Sequence, residues 1–167
     1  MSAPLTLADF TRPSLLVPAL HGRDQAAVLM ELSRRLHSAG AVGDLMQFYH
    51  AAFNREFLES TSVGGDLALP HVRLPDLARL SFALGRSPEP IQWTGAPRNA
   101  VRWVILAAVP ASNLSDYLAL LATVARVAQT RTFRQELGAA TDAGEIFTLL
   151  QGVPLKSAPA VPHSAVA

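Results

Sequence analysis

One apolar stretch limits what this chain can fold into. Val101 to Val109 is apolar except for Arg102, and Pro110 follows it directly. A short apolar run that ends at a breaker is typical of a strand buried on both faces of its sheet. Because such a strand must be covered on each side, we predict a central strand in a sheet with helices packed on it.

Helices and strands are interspersed along the rest of the chain. Asp24 and Asp44 have the positions of N-caps before helical apolar patterns, and the chain from Asn113 onward is mostly helical in pattern. Arg79 to Leu84 alternates as a half-buried strand does, and Gly85 to Pro90 is predicted to be a turn. The predicted class is therefore α/β, with a single sheet.

The composition indicates one folded domain. Half of the 167 residues are apolar and 16% are charged, which provides a core and is too little charge for a disordered chain. We expect one domain over residues 1–152, ending at Gly152. The Ala/Pro/Ser-rich segment over residues 153–167 is predicted to be a disordered tail.

Several functional classes are excluded or disfavoured. The net charge of +1 does not indicate nucleic-acid binding, and the lack of cysteine excludes disulfides and cysteine-based zinc sites. No histidine–carboxylate cluster indicates a metal site, and no glycine-rich phosphate loop implies an organic cofactor. The apolar runs are too short to insert into a membrane and the N-terminus is unlike a secretory signal, so a cytoplasmic protein is expected.

His71 stands out among the five histidines because it follows a strand-like segment and a proline, in Leu67-Ala68-Leu69-Pro70-His71. Strand ends are places where a chain presents reactive groups. From the spacing alone, an ordinary solvated loop histidine is the favoured interpretation, because single histidines are common. Arg55 also has two interpretations, since it either binds an anion or pairs on its helix with Glu59, four residues on, and the residues alone favour the pairing.

The segment from Arg55 to His71 reads REFLESTSVGGDLALPH. It resembles the signature of the enzyme IIA domain of the bacterial sugar phosphotransferase system, of the fructose/mannitol/nitrogen-regulatory type. In that signature an Arg-Glu pair precedes a Ser/Thr-rich turn, glycines and a final Pro-His. Val101 to Pro110 is similar to the central strand of the family, and the resemblance covers roughly Leu5 to Leu150.

The resemblance implies a mixed sheet of about five strands sandwiched by helices, and the activity of a phosphotransferase with a phosphohistidine intermediate. His71 would accept a phosphoryl group and pass it on, and Arg55 would bind the phosphate oxygens. Thr61, Gly64 and Gly65 would bring a hydroxyl and backbone N–H groups to the phosphate. No metal or organic cofactor is implied.

The resemblance also implies the partners. An HPr-like histidine phosphocarrier protein would donate to His71, and the acceptor would be an enzyme IIB domain or a regulated target protein. Sugar uptake and nitrogen or metabolic regulation both remain open.

The chain departs from the family at Tyr117, where a second histidine usually stands close to the phosphoacceptor. A tyrosine hydroxyl donates one hydrogen bond and carries no positive charge near neutral pH. Tyr117 would therefore support the phosphate site in an altered way. The alternative is a degenerate domain that binds regulatory partners without being phosphorylated.

Overall fold

The computed structural model describes residues 2–58, 61–94 and 100–156. Within them the chain forms one mixed sheet of six strands and five α-helices, which confirms the predicted α/β class. The helices are α1 Gln25–Ser38, α2 Leu45–Leu58, α3 Leu114–Ala128, α4 Arg131–Ala139 and α5 Ala143–Gln151. The strands are β1 Leu16–Val17, β2 Ser62–Gly64, β3 Leu67–Ala68, β4 His71–Leu74, β5 Ser81–Gln92 and β6 Ala100–Pro110.

Strand β6 lies at the centre of the sheet and contains the predicted apolar run. It pairs antiparallel with β5 on one side and parallel with both β3 and β4 on the other. The outer neighbours are β1, parallel to β5, and β2, antiparallel to β3. Every β6 residue from Trp103 to Pro110 is buried, whereas Arg102 is exposed, so the central strand is confirmed.

Two hydrophobic cores lie on the two faces of the sheet, because successive side chains of β6 point in opposite directions. Ile105, Ala107 and Val109 belong to the core formed with α3, α4 and α5. Val104 and Leu106 belong to the core formed with α1 and α2. Helices therefore cover both faces, as a strand that is apolar on both sides requires.

The predicted turn at Gly85–Pro90 is wrong. These residues continue β5, which is paired with β6 from Ser81 to Arg86 and again at Ile91 and Gln92. The register shifts between the two paired stretches, and such an irregularity accommodates the prolines because they have no N–H for the ladder. Gly85 lies within the ladder, where a Cβ atom would be 2.5 Å from Leu20 Cδ2.

Capping residues fix where three helices begin. Asp24, Asp44 and Asn113 each accept a hydrogen bond from the backbone N–H three residues on, at 2.8, 2.9 and 3.3 Å. Asn113 matters most for the site, because the start of α3 that it defines carries Tyr117 in the first turn.

Beyond Gly152 the described chain still contacts the domain. Val153 is buried, Pro154 forms a β-bridge with Thr6, and the Leu155 N–H donates to the Leu5 carbonyl at 2.8 Å. The rest of the predicted tail, residues 157–167, lies outside the described residues. In the part of the chain that is described, no helix combines the length and the apolar character needed to cross a bilayer.

Candidate functional site

His71 lies at a break in the strand pairing beside β6. Strands β3 and β4 both run along β6, and Leu69 and Pro70 separate them. Proline cannot donate to a ladder, which explains an interruption at this place. The Pro70 carbonyl still accepts the Ala107 N–H at 2.9 Å, and His71 pairs in register with Ala107. The central strand thus fixes the backbone of His71, whose side chain is half-buried.

The two ring nitrogens of His71 have different partners. Nδ1 lies 3.0 Å from the Leu69 carbonyl, and a carbonyl only accepts, so Nδ1 carries the proton of the neutral ring. Nε2 lies 2.9 Å from the Tyr117 hydroxyl, which therefore donates to the Nε2 lone pair. This tautomer makes Nε2 the nucleophilic nitrogen.

The surroundings favour the neutral imidazole. Burial lowers the pKa of His71, and the hydrogen bond to the Leu69 carbonyl opposes that shift without cancelling it. The positive charges of Arg55 and Arg73 lower the pKa further. Near neutral pH the ring therefore holds one proton, on Nδ1, and one unprotonated lone pair, on Nε2, which accepts from Tyr117.

Tyr117 packs over this ring from the first turn of α3. The centroids of the His71 and Tyr117 rings are 5.3 Å apart, and the Arg73 guanidinium carbon lies 5.6 Å from the Tyr117 centroid. Burial raises the pKa of Tyr117, and the charges of Arg73 and Arg55 partly oppose that shift. The hydroxyl therefore stays protonated and able to donate.

Arg55 and Arg73 make the surroundings of His71 positive. Arg55 is in the last turn of α2, and its charge acts on His71, Tyr117 and Glu56. Arg73, two residues after His71, is exposed and donates to the Ala111 carbonyl at 3.1 Å. Two guanidinium groups beside one neutral imidazole suit an anionic ligand such as a phosphoryl group. Glu59, the other candidate partner of Arg55, lies outside the described residues.

Sequence patterns did not identify the buried carboxylate of Glu56. This side chain is 2% exposed and accepts hydrogen bonds from the Thr61 hydroxyl, from the Thr61 N–H at 3.4 Å and from Trp93 Nε1 at 3.1 Å. Burial raises its pKa, and these hydrogen bonds and Arg55 partly offset the shift. Glu56 thereby joins the end of α2, which carries Arg55, to the residues before β2 and after β5. The sequence signal that could have identified Glu56 is its position directly after Arg55, in the Arg-Glu pair of the family signature.

The predicted phosphate-site residues Thr61, Gly64 and Gly65 lie in two places. Thr61 is near the site, since its carbonyl accepts the Leu69 N–H at 2.9 Å, but its hydroxyl is used by Glu56. Gly64 and Gly65 have φ of +82° and +60°, and a Cβ on Gly65 would lie 2.0 Å from the carbonyl oxygen of Ala128. Ala128 is the last residue of α3, about 16 Å along the helix from Tyr117. The structure does not bring these glycines to His71.

Glu56 is expected to be needed for the stability of the site. Replacing Glu56 by Ala leaves the Thr61 and Trp93 donors buried without an acceptor, so the free energy of unfolding should fall by about 2–4 kcal/mol. Glu56→Gln retains one acceptor oxygen and should cost less than half as much. Urea unfolding followed by circular dichroism measures both variants, and a Glu56→Ala variant as stable as the wild type would contradict this role.

The depressed pKa of His71 predicts its response to pH. The unfolded chain takes up this proton near the ordinary value of about 6.5, whereas the folded chain takes it up only at lower pH. Between the two values the unfolded state binds more protons, so stability falls as pH falls through that window. An NMR titration of the His71 ring should give a midpoint below 6.5 in the native chain and near 6.5 in urea. An equal or higher native midpoint would be inconsistent with a neutral, buried ring.

The chain matches the family described as phosphoenolpyruvate-dependent sugar phosphotransferase system, EIIA 2, over residues 9–153. A nitrogen regulatory protein of Bradyrhizobium diazoefficiens is 27% identical, over 92% of this chain and all of the relative. The mannosylglycerate-specific EIIABC component of Escherichia coli is 29% identical over 71% of this chain. The chain spans 18% of that component's length.

Solved structures have the same fold. The nitrogen regulatory protein IIA-Ntr of Neisseria meningitidis superimposes with a TM-score of 0.79 at 21% identity, over 86% of this chain and 98% of the other. The mannitol IIA of Escherichia coli gives 0.71 at 17% identity, over 83% and 97%. The resemblance inferred from the Arg55–His71 segment is confirmed, and the chain belongs to the type 2 EIIA family of the phosphoenolpyruvate-dependent sugar phosphotransferase system.

Proposed function

We propose that this protein is a phosphocarrier, which accepts a phosphoryl group on Nε2 of His71 and passes it to a further acceptor. One observation carries the proposal: the Leu69 carbonyl holds the proton of a neutral imidazole on Nδ1, which leaves the Nε2 lone pair as the nucleophile. The depressed pKa of His71 keeps that lone pair unprotonated at neutral pH. Membership of the EIIA family supports the same role.

The transfer is a displacement at phosphorus. The Nε2 lone pair forms the new P–N bond while the P–N bond of the phosphorylated donor histidine breaks, and the donor imidazole leaves with that electron pair. His71 keeps its Nδ1 proton throughout and becomes a phosphoimidazole. Transfer onward repeats the step in reverse, with the imidazole of His71 as the leaving group.

Positive charge is the main stabilisation that the site supplies to the phosphoryl group. Charge in this transition state is spread over three equatorial oxygens, and catalysis rests mostly on positioning and electrostatics. Arg55 carries a permanent charge that already acts on the His71 ring. We assign it to the phosphoryl oxygens, and the buried Glu56 helps to hold the end of its helix.

Tyr117 replaces the second histidine that the family usually has. Its hydroxyl donates to Nε2 in the resting protein, so it has to release that nitrogen before the P–N bond forms. A phosphoryl oxygen bound to Nε2 then offers an acceptor close to the same hydroxyl. Tyr117 thus offers the phosphoryl group a neutral hydroxyl donor, where a protonated histidine would offer a charged one.

The donor that we propose is an HPr-like phosphocarrier protein, and the acceptor an enzyme IIB domain or a regulated target. A solved relative, the mannitol IIA of Escherichia coli, forms a complex with phosphorylated IIB. Nitrogen or metabolic regulation is the better supported branch, because 92% of the chain aligns with the nitrogen regulatory relative and 71% with the sugar-specific EIIABC component.

A binding module that is never phosphorylated is the second candidate. Tyr117 favours it, since its hydroxyl occupies the Nε2 lone pair and lacks the charge of an imidazolium. The retained pair of His71 and Arg55 favours the phosphocarrier.

A phosphorylation assay separates the two candidates. The protein is incubated with enzyme I, HPr or its nitrogen-branch counterpart, and phosphoenolpyruvate, and an acid-labile gain of one phosphate is sought by mass spectrometry. We expect the gain in the wild type and in His50→Ala, a matched variant of an exposed histidine on α2, and none in His71→Ala. Tyr117→Phe should still be labelled, with an equilibrium constant for phosphorylation about 2–10-fold lower, since the hydrogen bond that Tyr117 donates to a charged phosphoryl oxygen is stronger than the one it donates to the neutral Nε2.

Labelling of His71→Ala, or no labelling of the wild type while a known enzyme IIA in the same tube is labelled, would overturn the phosphocarrier assignment. The second outcome would leave the binding module as the better account.

A further inference from the structure

A concave site away from His71 lies in the described part of the chain, and we name it the arginine cleft. Its volume is about 520 Å³, and it lies between α4 and the starts of β3 and β6. The charged residues that line it are Asp66, Arg102, Arg131 and Arg134.

The arginine cleft is separate from the His71 site. Trp103 lines the cleft and precedes Ala107, the register partner of His71, by four residues on β6. Four residues of extended strand span about 13 Å. The cleft also includes Ala128 at the end of α3, whereas Tyr117 is in the first turn of that helix.

The charges that line the cleft are unbalanced. Three arginines face a single carboxylate among the described lining residues, which leaves an excess of two positive charges. Asp66 Oδ2 lies 3.5 Å from an Arg134 nitrogen, and that pair is half exposed on both sides. Arg102 and Arg131 are exposed, and the Arg102 guanidinium donates to the Pro88 carbonyl, a neutral acceptor, at 3.3 Å. Guanidinium groups with unused donors bind phosphate oxygens in pairs.

The first turn of α4 adds to this positive potential. Arg131 is the first residue of the helix and Arg134 the fourth, and the turn contains no acidic residue. The Thr130 side chain at the N-cap accepts no hydrogen bond from the N–H groups of the helix, and its hydroxyl donates back to the Arg126 carbonyl at 3.1 Å. Cations at the positive end of a helix dipole repel it unless an anion lies between them.

The floor of the cleft is apolar. Trp103, Phe133 and Leu137 are all buried and line it. The Arg86 guanidinium carbon lies 5.4 Å from the Trp103 ring centroid, and Arg86 also donates to the Gly138 carbonyl at 3.0 Å. A cationic rim above an apolar floor fits a ligand that has both phosphates and an organic body.

We propose that the arginine cleft binds a small molecule that carries at least two phosphate groups on an organic body, such as a nucleoside diphosphate. The three guanidiniums take the phosphate oxygens, and the organic body rests on the apolar floor. The volume suits a ligand of that size, since pockets for small molecules fall in the range of about 300–1,000 Å³.

A titration followed by ¹H–¹⁵N NMR tests the proposal on the full chain. The probes are adenosine diphosphate, inorganic pyrophosphate, adenosine and, at matched ionic strength, sodium chloride. Adenosine diphosphate and pyrophosphate should cause saturable shifts of the Arg131–Arg134 amide signals and of the Trp103 indole signal. Adenosine diphosphate should bind more tightly than pyrophosphate. Adenosine and sodium chloride should leave these signals nearly unchanged.

Paired variants test whether the arginines are responsible. Replacing Arg102 and Arg131 together by Gln should weaken binding of adenosine diphosphate by about tenfold or more. Replacing Arg34 and Arg35 of α1 by Gln makes the same change in net charge on a different helix and should leave the affinity unchanged.

Three results would overturn the proposal. The first is that pyrophosphate and adenosine diphosphate shift the signals no more than sodium chloride does. The second is that adenosine binds as tightly as adenosine diphosphate. The third is that the two double variants lose the same amount of affinity for adenosine diphosphate.

Discussion

The pairing of β6 with β3 and β4 is the constraint on which the rest of the site depends. Strand β6 is buried on both faces, so it fixes both helical layers and the strands on each side of it. Along one of those sides Pro70 interrupts the ladder, and His71 follows at a defined register with Ala107. At this interruption the Leu69 carbonyl lies within hydrogen-bond distance of His71 Nδ1. The break in the strand pairing therefore determines which nitrogen of the His71 ring carries the proton.

The electrostatic design serves both states of the proposed reaction. Burial and two nearby arginines disfavour a protonated His71, which keeps the nucleophile neutral. The same arginines favour a phosphoryl group on that ring, because its charge is negative. Tyr117 stays a neutral donor in both states, so the site changes its net charge only through the phosphoryl group it holds. The buried Glu56 anchors the end of α2 that bears Arg55, and the hydrogen bond it accepts from Trp93 Nε1 joins segments that are 37 residues apart in the chain.

The sequence predicted those features whose signals are local. The apolar run of β6, the caps Asp24 and Asp44, and the family signature between Arg55 and His71 can each be recognised from a short stretch of sequence. Gly85–Pro90 was misassigned because glycine and proline locally favour turns, whereas pairing with β6 is a contact between distant segments. The partners of Glu56 and the placement of Gly64 and Gly65 against the end of α3 also depend on tertiary packing, which no spacing rule provides.

The central claim is that the Leu69 carbonyl makes Nε2 of His71 the phosphoryl acceptor. Long-range ¹H–¹⁵N NMR of the ring, recorded before and after enzymatic phosphorylation, tests it most directly. We expect the resting ring to carry its proton on Nδ1, and the phosphorylated ring to show phosphorus coupling at Nε2. A proton on Nε2 in the resting state, or a phosphoryl group on Nδ1, would contradict the claim.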